Sequence, residues 1–188
     1  METTLNSELL DKQSLRQAVR ARRDAVHAAY IADPDVYYHK LRTQTVPSIQ
    51  ALIGDQRRCV SGFAPILSEI DCFFVLQQLK HTHQLALPIV IGVNKPLIFR
   101  AWDGEASSLV SGKYGLKVPN EDSPLVTPDV SLTSLLGYTP DKYRLGYGMG
   151  TTTGLLPKWA VLRLGCASRS NKSSGLNEPS TTYRWTLL

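Results

Sequence analysis

The chain has 188 residues, of which 43% are hydrophobic and 20% are charged, a composition typical of one globular domain with a buried core. No apolar run approaches the roughly 20 residues that a membrane helix needs, and the N-terminus lacks the apolar segment of a secretory signal. The three cysteines (Cys59, Cys72 and Cys166) are widely separated, which disfavours a disulfide framework or a zinc site. We therefore expect a reduced, cytoplasmic protein that does not act at a membrane.

The net charge of +5 is unevenly distributed along the chain. Residues 151–188 hold five basic side chains against one acid, Glu178, whereas residues 1–150 are nearly neutral. A basic protein can bind nucleic acid, but here the excess charge lies in a single terminal segment. Nucleic-acid binding therefore ranks last among the functions considered, and we expect no nucleic-acid partner.

The apolar spacing predicts alternating helices and strands. Helices are predicted at 8–30, at 36–53 after the Asp33-Pro34 start signal, and at about 70–80. Strands are predicted at 59–66, 85–91, 96–102 and 129–138, with a loop-rich stretch over 103–128. This order indicates an α/β fold with a mostly parallel sheet flanked by helices.

A glycine-rich loop, RLGYGMG, follows the strand predicted at 129–138. Parallel sheets bind ligands at the carboxyl ends of their strands, where such loops lie. Gly146, Gly148 and Gly150 would let backbone N–H groups approach phosphate oxygens, and Arg144 adds a positive charge. Similar loops also occur as plain turns, so this motif alone leaves both interpretations open.

The first helix carries a row of cations at helical spacing: Lys12, Arg16, Arg20 and Arg23. This face could bind a polyphosphate, although a solvated helix face is the commoner role of such a row. Glu69 could be a site carboxylate, or an ordinary surface acid or helix cap.

Aromatic and histidine side chains give weaker signals. Trp102 and Tyr114 could stack on a flat ligand, although core packing is more common for aromatic residues. None of the four histidines has the spacing of a metal site, and we expect His81 and His83 to lie in an exposed turn.

Five motifs occur together in one order: KQSLR at 12–16, SGFAPILSEID at 61–71, LALPIV at 85–90, KYGLKVP at 113–119 and RLGYGMG at 144–150. In this order and spacing the chain resembles the 5-formyltetrahydrofolate cyclo-ligase family, also called methenyltetrahydrofolate synthetases. The resemblance covers about 140 residues, and RLGYGMG is its most specific part.

The resemblance implies a Rossmann-like three-layer fold and a monomer that acts on small molecules. It also implies a reaction that uses ATP and Mg²⁺. ATP phosphorylates the formyl oxygen of 5-formyltetrahydrofolate, N10 attacks the activated carbon, and phosphate leaves. The products are 5,10-methenyltetrahydrofolate, ADP and phosphate. Such a site needs positive charge and backbone donors around the phosphoryl group, and an apolar slot for the pterin.

The resemblance also assigns roles to residues by position. The implied catalytic residues are Glu69, Arg144 and Tyr147. Folate-binding residues would be Ala64, Glu69, Tyr114 and Tyr147, with Glu69 hydrogen bonding to the pterin ring. The ATP-binding residues would be Lys12, Gln13, Ser14, Leu15, Arg16, Arg144, Leu145, Gly146, Tyr147, Gly148, Met149 and Gly150, with Arg20 a weaker addition.

The resemblance ends after Gly150. The family continues with Tyr-Tyr-Asp-Arg, whose Asp is expected to hold magnesium, whereas this chain has Thr-Thr-Thr-Gly with Thr153 at the Asp position. Thr153 has no charge and is a poor magnesium ligand, so no intact metal site is expected. When the codons that could encode Thr-Thr-Thr-Gly are read from one base earlier, Tyr-Tyr-Asp-Arg is a permitted translation. The same reading frame also permits two later motifs of the family.

We therefore hypothesise that residues 151–188 are a frameshifted tail and that residues 1–150 are an incomplete cyclo-ligase domain. The tail is predicted to be weakly ordered or to form a poor terminal helix, because its apolar residues do not maintain helical or strand spacing over more than a few positions. We expect such a chain to be weakly stable and to have little or no activity. The alternatives are a genuine, divergent tail and a catalytically dead relic that still binds nucleotide or folate.

Overall fold

The structure is a computed structural model that describes residues 2–92, 95–138, 144–145, 162–169 and 182–187. Side chains are described for residues 13–92, 95–137 and 145. Within these ranges no helix is long and apolar enough to cross a membrane.

In the part of the chain that the structure describes, four α-helices precede or interrupt the sheet. They are α1 (Glu2–Ala32), α2 (Pro34–Lys40), α3 (Val46–Ile53) and α4 (Cys72–Leu79), with a π-helical turn at Leu41–Thr45 joining α2 to α3. Asp33 caps α2 by accepting a hydrogen bond from the Val36 N–H, and Pro34 occupies the first turn. Gly54, with a φ of 82°, ends α3 in a conformation that glycine adopts without strain. The helices predicted at 8–30 and about 70–80 are confirmed with shifted bounds, whereas the single helix predicted at 36–53 consists of α2, the π-helical turn and α3.

The described residues form a six-stranded sheet of β1 (Cys59–Ser61), β2 (Gln84–Ile89), β3 (Ile98–Trp102), β6 (Val130–Ser134), β9 (Leu162–Arg169) and β10 (Thr182–Leu187). The order of the strands across this sheet is β10-β9-β6-β1-β2-β3. The central pairs β2–β1, β1–β6 and β6–β9 are parallel, whereas the edge strands β3 and β10 are antiparallel to their neighbours. The predicted α/β class with a mostly parallel sheet flanked by helices is confirmed.

Buried residues of the described helices join one face of the sheet in a hydrophobic core. Val60, Leu85, Leu87, Val130 and Leu132 contribute that face to a single core cluster, which includes buried residues from every helix. A smaller cluster of Cys59, Ala86, Leu97 and Phe99 lies apart from it.

The strand predicted at 59–66 is wrong beyond Ser61. Gly62 lies directly against α4: a Cβ added there would come within 2.6 Å of Leu76 Cδ1 and 2.7 Å of Cys72 Sγ. The Gly62 N–H still donates to the Ala86 carbonyl of β2 at 3.2 Å, and the chain leaves the sheet after this bond. Pro65, which has no N–H, could not continue the ladder. The freed segment, residues 62–71, forms the loop that carries Glu69.

The loop-rich stretch 103–128 contains a hairpin that the sequence did not predict, formed by β4 (Leu109–Ser111) and β5 (Lys117–Pro119). Each strand has only three residues, which is too short for alternation to be detected. The strand predicted at 129–138 is in fact β6 followed by a separate β7 (Gly137–Tyr138), which pairs with β8 (Arg144–Leu145).

The tail was expected to be weakly ordered or helical, and this is wrong for β9 and β10. β9 pairs with β6 in parallel, from Val130 opposite Leu162 to Ser134 opposite Cys166, and β10 pairs with β9. Pairing with an existing strand edge can order a segment that has little periodicity of its own.

Candidate ligand-binding site

A cavity of about 340 Å³ lies between the end of α1, the helix α2 and the loop that follows β1. Its lining combines aromatic rings with two carboxylates. The residues are His27, Tyr30, Ile31, Pro34, Tyr37, Tyr38, Pro65, Leu67, Glu69 and Asp71. Aromatic walls with a few polar groups are typical of small-molecule sites.

Glu69 is the most deeply buried acid of this cavity, with only 7% of its surface exposed. It closes a tight turn: its N–H donates to the Ile66 carbonyl at 3.1 Å, and its Oε2 accepts from the Ile66 N–H at 2.9 Å. Its other oxygen, Oε1, is buried and has no hydrogen-bond partner among the described residues. A buried carboxylate oxygen without a donor is costly, so a ligand that brings an N–H group there would be bound favourably. Glu69 is therefore neither a surface acid nor a helix cap.

Asp71 holds the aromatic wall of the cavity in place. Its Oδ1 accepts from the Phe74 N–H at 2.9 Å and so caps α4, while its Oδ2 accepts from the Tyr38 hydroxyl at 3.0 Å. The Asp71 N–H donates to the Tyr37 hydroxyl at 2.9 Å. Burial, together with the charge and hydrogen bond of Asp71, raises the pKa of Tyr38 above its usual value of 10.0, so this phenol stays neutral.

A polar network joins α1 to the turn beside Glu69. Arg23 Nε donates to Ser68 Oγ at 2.9 Å, and the Ser68 hydroxyl donates to Asp24. Arg23 is buried, so the interpretation of the whole basic row as a solvated face is wrong at this position. Arg20 is exposed and Arg16 is half-buried, so the row is solvated only in part.

The same helix brings the first and last predicted ATP motifs near each other. A Cβ added at Gly137 of β7 would lie 3.3 Å from Val19 Cγ1, and Gly137 pairs with Leu145 of β8. Arg16 lies one turn before Val19 on α1, on the same side of the helix. β7, which pairs with the start of RLGYGMG, therefore lies against α1 one turn after the end of KQSLR.

The other predicted ATP residues are less informative. Gln13, Ser14 and Leu15 are exposed on α1, and the backbone of Lys12 lies in the same helix. Arg144 contributes backbone to β8, but its side chain and that of Lys12 lie outside the described residues. Gly146, Tyr147, Gly148, Met149, Gly150 and Thr153 also lie outside the described residues.

Two predicted folate contacts, Ala64 and Tyr114, do not line the cavity. Ala64 is half-buried in the loop after β1. Tyr114 is 73% exposed at the turn of the β4–β5 hairpin, with a φ of 60°. Trp102 is buried in the core against Phe73, and its indole N–H donates to the Glu105 carbonyl, so its role is structural.

No metal site is found in the described part of the chain: nowhere in it do three His, Cys, Asp or Glu side chains lie close enough together to bind an ion. His81 is exposed, but the expectation of an exposed turn is wrong for His83. His83 is buried and its Nδ1 accepts from the Arg58 N–H at 3.3 Å.

Comparison with known proteins identifies the fold class first. The chain is an α/β protein, and its fold is similar to that of one solved folate enzyme. The NMR structure of Aquifex aeolicus 5,10-methenyltetrahydrofolate synthetase matches it with a TM-score of 0.66 at 20% sequence identity. The match covers 89% of this chain and 86% of the other. No protein-family model matches the sequence, and no curated protein matches it.

The match supports the resemblance that the five motifs gave, at the level of the fold. Residues 1–150 make up about four fifths of the chain, so a match over 89% includes part of the tail. The sequence motifs predicted Glu69, which lines the cavity, but not the opposite wall, formed by His27, Tyr30, Tyr37 and Tyr38. The sequence signal that bears on this wall is Asp33-Pro34, because the helix breaks there and α2 packs against the end of α1.

Proposed function

We propose that the chain belongs to the 5-formyltetrahydrofolate cyclo-ligase family and that the cavity beside Glu69 binds the pterin ring of a reduced folate. The observation that carries the proposal is the buried, unpartnered Oε1 of Glu69. Glu69 lines an aromatic cavity, and the fold of the chain is similar to that of a solved 5,10-methenyltetrahydrofolate synthetase.

The chemistry of a pterin fits this cavity. Its pyrimidine edge carries neighbouring N–H donors, and a carboxylate accepts such donors through charge-assisted hydrogen bonds. The flat ring would pack on apolar and aromatic side chains, which Tyr30, Tyr37 and Pro65 supply. Because Glu69 Oε2 is held by the Ile66 N–H, the carboxylate is oriented before the ligand arrives.

ATP is the proposed second substrate. Its phosphates would bind between the Lys12–Arg16 segment and the glycine loop; support comes from β7, which pairs with β8 and lies against Val19, one turn after Arg16. Arg144 and the backbone of the loop up to Gly150 would stabilise the charge that develops as the phosphoryl group moves to the formyl oxygen. N10 attack then closes the ring and expels phosphate.

The residues present do not fit the magnesium ion that this chemistry needs. Thr153 stands where the family has Asp, and no cluster of three metal-ligating side chains occurs in the described residues. We propose that the chain as written binds folate with little or no turnover. This favours the alternative function, a folate- or nucleotide-binding relic of the family.

We further propose that residues 151–188 arise from a shift of one base after the codon for Gly150. Support comes from the change in charge and composition at this point, and from the family motifs that the shifted frame permits. The rival, a genuine tail, is supported by β9 and β10, which extend the sheet beside β6. Sequencing the coding DNA distinguishes them: an intact frame without a missing base refutes the shift.

Calorimetric titration tests the binding proposal, with 5-formyltetrahydrofolate as ligand and p-aminobenzoylglutamate, which lacks the pterin, as control. We expect the folate to bind and the control to bind far more weakly. Equal affinities, or no folate binding, would refute the pterin site.

Turnover is measured separately, from the absorbance of methenyltetrahydrofolate formed with Mg-ATP. The matched comparison is a chain in which one base is restored after codon 150. The proposal expects activity in the restored chain and little in the chain as written; normal turnover by the chain as written contradicts it.

A further inference from the structure

The rim of the cavity carries two exposed apolar side chains. Leu67 is 76% exposed and Ile31 is 64% exposed, and both line the same cavity as Glu69. Exposed leucines are common, but a leucine at the mouth of a cavity with a buried polar interior is a typical ligand contact.

The backbone conformation of Leu67 is a second feature that is typical of a ligand contact. Its φ of 52° lies in the left-handed region, which disfavours residues that carry a Cβ. Leu67 is the first central residue of the Ile66–Glu69 turn, closed by the hydrogen bond from Glu69 N to Ile66 O. Turns with a positive φ at this position usually have glycine there.

The turn cannot easily relax, because it is held on both sides. Glu69 Oε2 accepts from the Ile66 N–H, and Ser68 bonds to Arg23 and Asp24 of α1. The contacts thus fix a strained leucine with its side chain exposed at the cavity mouth. Strain that the surrounding structure maintains in this way is concentrated at ligand-contacting sites.

We propose that Leu67, together with Ile31, contacts the benzoyl ring of the bound folate, just beyond the pterin that Glu69 binds. This inference rests on the proposed function. In a folate, the polar bicyclic ring is joined through a short link to a flat apolar ring. The cavity has the matching order: a carboxylate within and aliphatic side chains at its mouth.

The test replaces Leu67 by glycine, which suits the backbone but removes the apolar contact. An apolar contact of about 50 Å², at ~25 cal/mol per Å², corresponds to a loss of affinity of about five- to tenfold. We expect L67G to bind 5-formyltetrahydrofolate about five- to tenfold more weakly, while 5-formyl-6-methyltetrahydropterin, which lacks the benzoyl ring, binds unchanged. The Tm should rise, because glycine adopts a positive φ without strain.

Leu67→Asn provides a second variant, since asparagine tolerates the left-handed conformation but is polar. The matched control is Leu125→Gly, which removes a leucine that is also exposed but does not line the cavity. It should leave both affinities unchanged.

Loss of affinity for the folate alone in both Leu67 variants supports the inference. Equal loss for the two ligands, or no loss in either variant, overturns it and leaves the proposed function standing. If the unaltered chain binds neither ligand, the proposed function fails and this inference fails with it.

Discussion

Replacing Asp71 tests how the aromatic wall of the cavity is held. Asp71→Ala removes the cap of α4 at the Phe74 N–H and the acceptor of the Tyr38 hydroxyl. Loss of a cap costs about 1 kcal/mol, and loss of the partner of a partly buried hydroxyl costs about another 1 kcal/mol. We expect the free energy of unfolding to fall by about 2 kcal/mol, since both bonds depend on one carboxylate.

Urea denaturation followed by circular dichroism measures this change. Asp33→Ala is the matched control, because the Asp33 carboxylate caps α2 through the Val36 N–H and has no described bond to a tyrosine hydroxyl. It should cost only the cap, about 1 kcal/mol. Combining Asp71→Ala with Tyr38→Phe gives a double-mutant cycle, in which we expect a coupling of roughly 0.5–1.5 kcal/mol. The reasoning is refuted if Asp71→Ala costs no more than Asp33→Ala, or if the coupling is zero.

Two further predictions concern stability. Gly62→Ala should lower the free energy of unfolding by about 1–3 kcal/mol, measured in urea, because the added methyl would overlap Leu76 and Cys72; an unchanged midpoint would contradict this close packing. His83 has a pKa lowered from 6.5 by burial and then by the charges of Arg58 and Arg57. As the pH drops below 6.5, the unfolded chain therefore takes up this proton before the folded chain does, and the free energy of unfolding falls. His83→Asn should reduce this pH dependence. His81→Asn, at an exposed site, should leave it unchanged.

Much of the fold could be predicted from local sequence patterns. The start of α2 at Asp33-Pro34 and the end of α3 at Gly54 depend on capping residues close in the chain. The C-terminal end of β1 could not be predicted in this way, because the chain leaves the sheet after Gly62, which packs against α4, and the residues of α4 follow later in the sequence. β9 likewise depends on pairing with β6, which its own residues do not indicate.

In the candidate site, too, features that depend on nearby residues could be predicted and features that depend on distant contacts could not. Glu69 was identified from a motif, but its burial depends on a turn fixed by Ser68 and by Arg23, 45 residues apart in the chain. The tyrosine wall joins the cavity through Asp71, which is more than 30 residues from Tyr37 and Tyr38. No local pattern reports contacts over such separations, so the wall was missed.

The most direct test of the central claim is the affinity of the chain for 5-formyltetrahydrofolate before and after Glu69→Gln. Glutamine keeps the size of the side chain but removes the charge that would accept the pterin N–H donors. We predict a loss of affinity of at least about tenfold, since hydrogen bonds to charged groups contribute about 1.5–3 kcal/mol. Glu121→Gln, at an exposed acid that does not line the cavity, should bind as the unaltered chain does. Equal affinity of the Glu69→Gln variant and the unaltered chain would contradict the account.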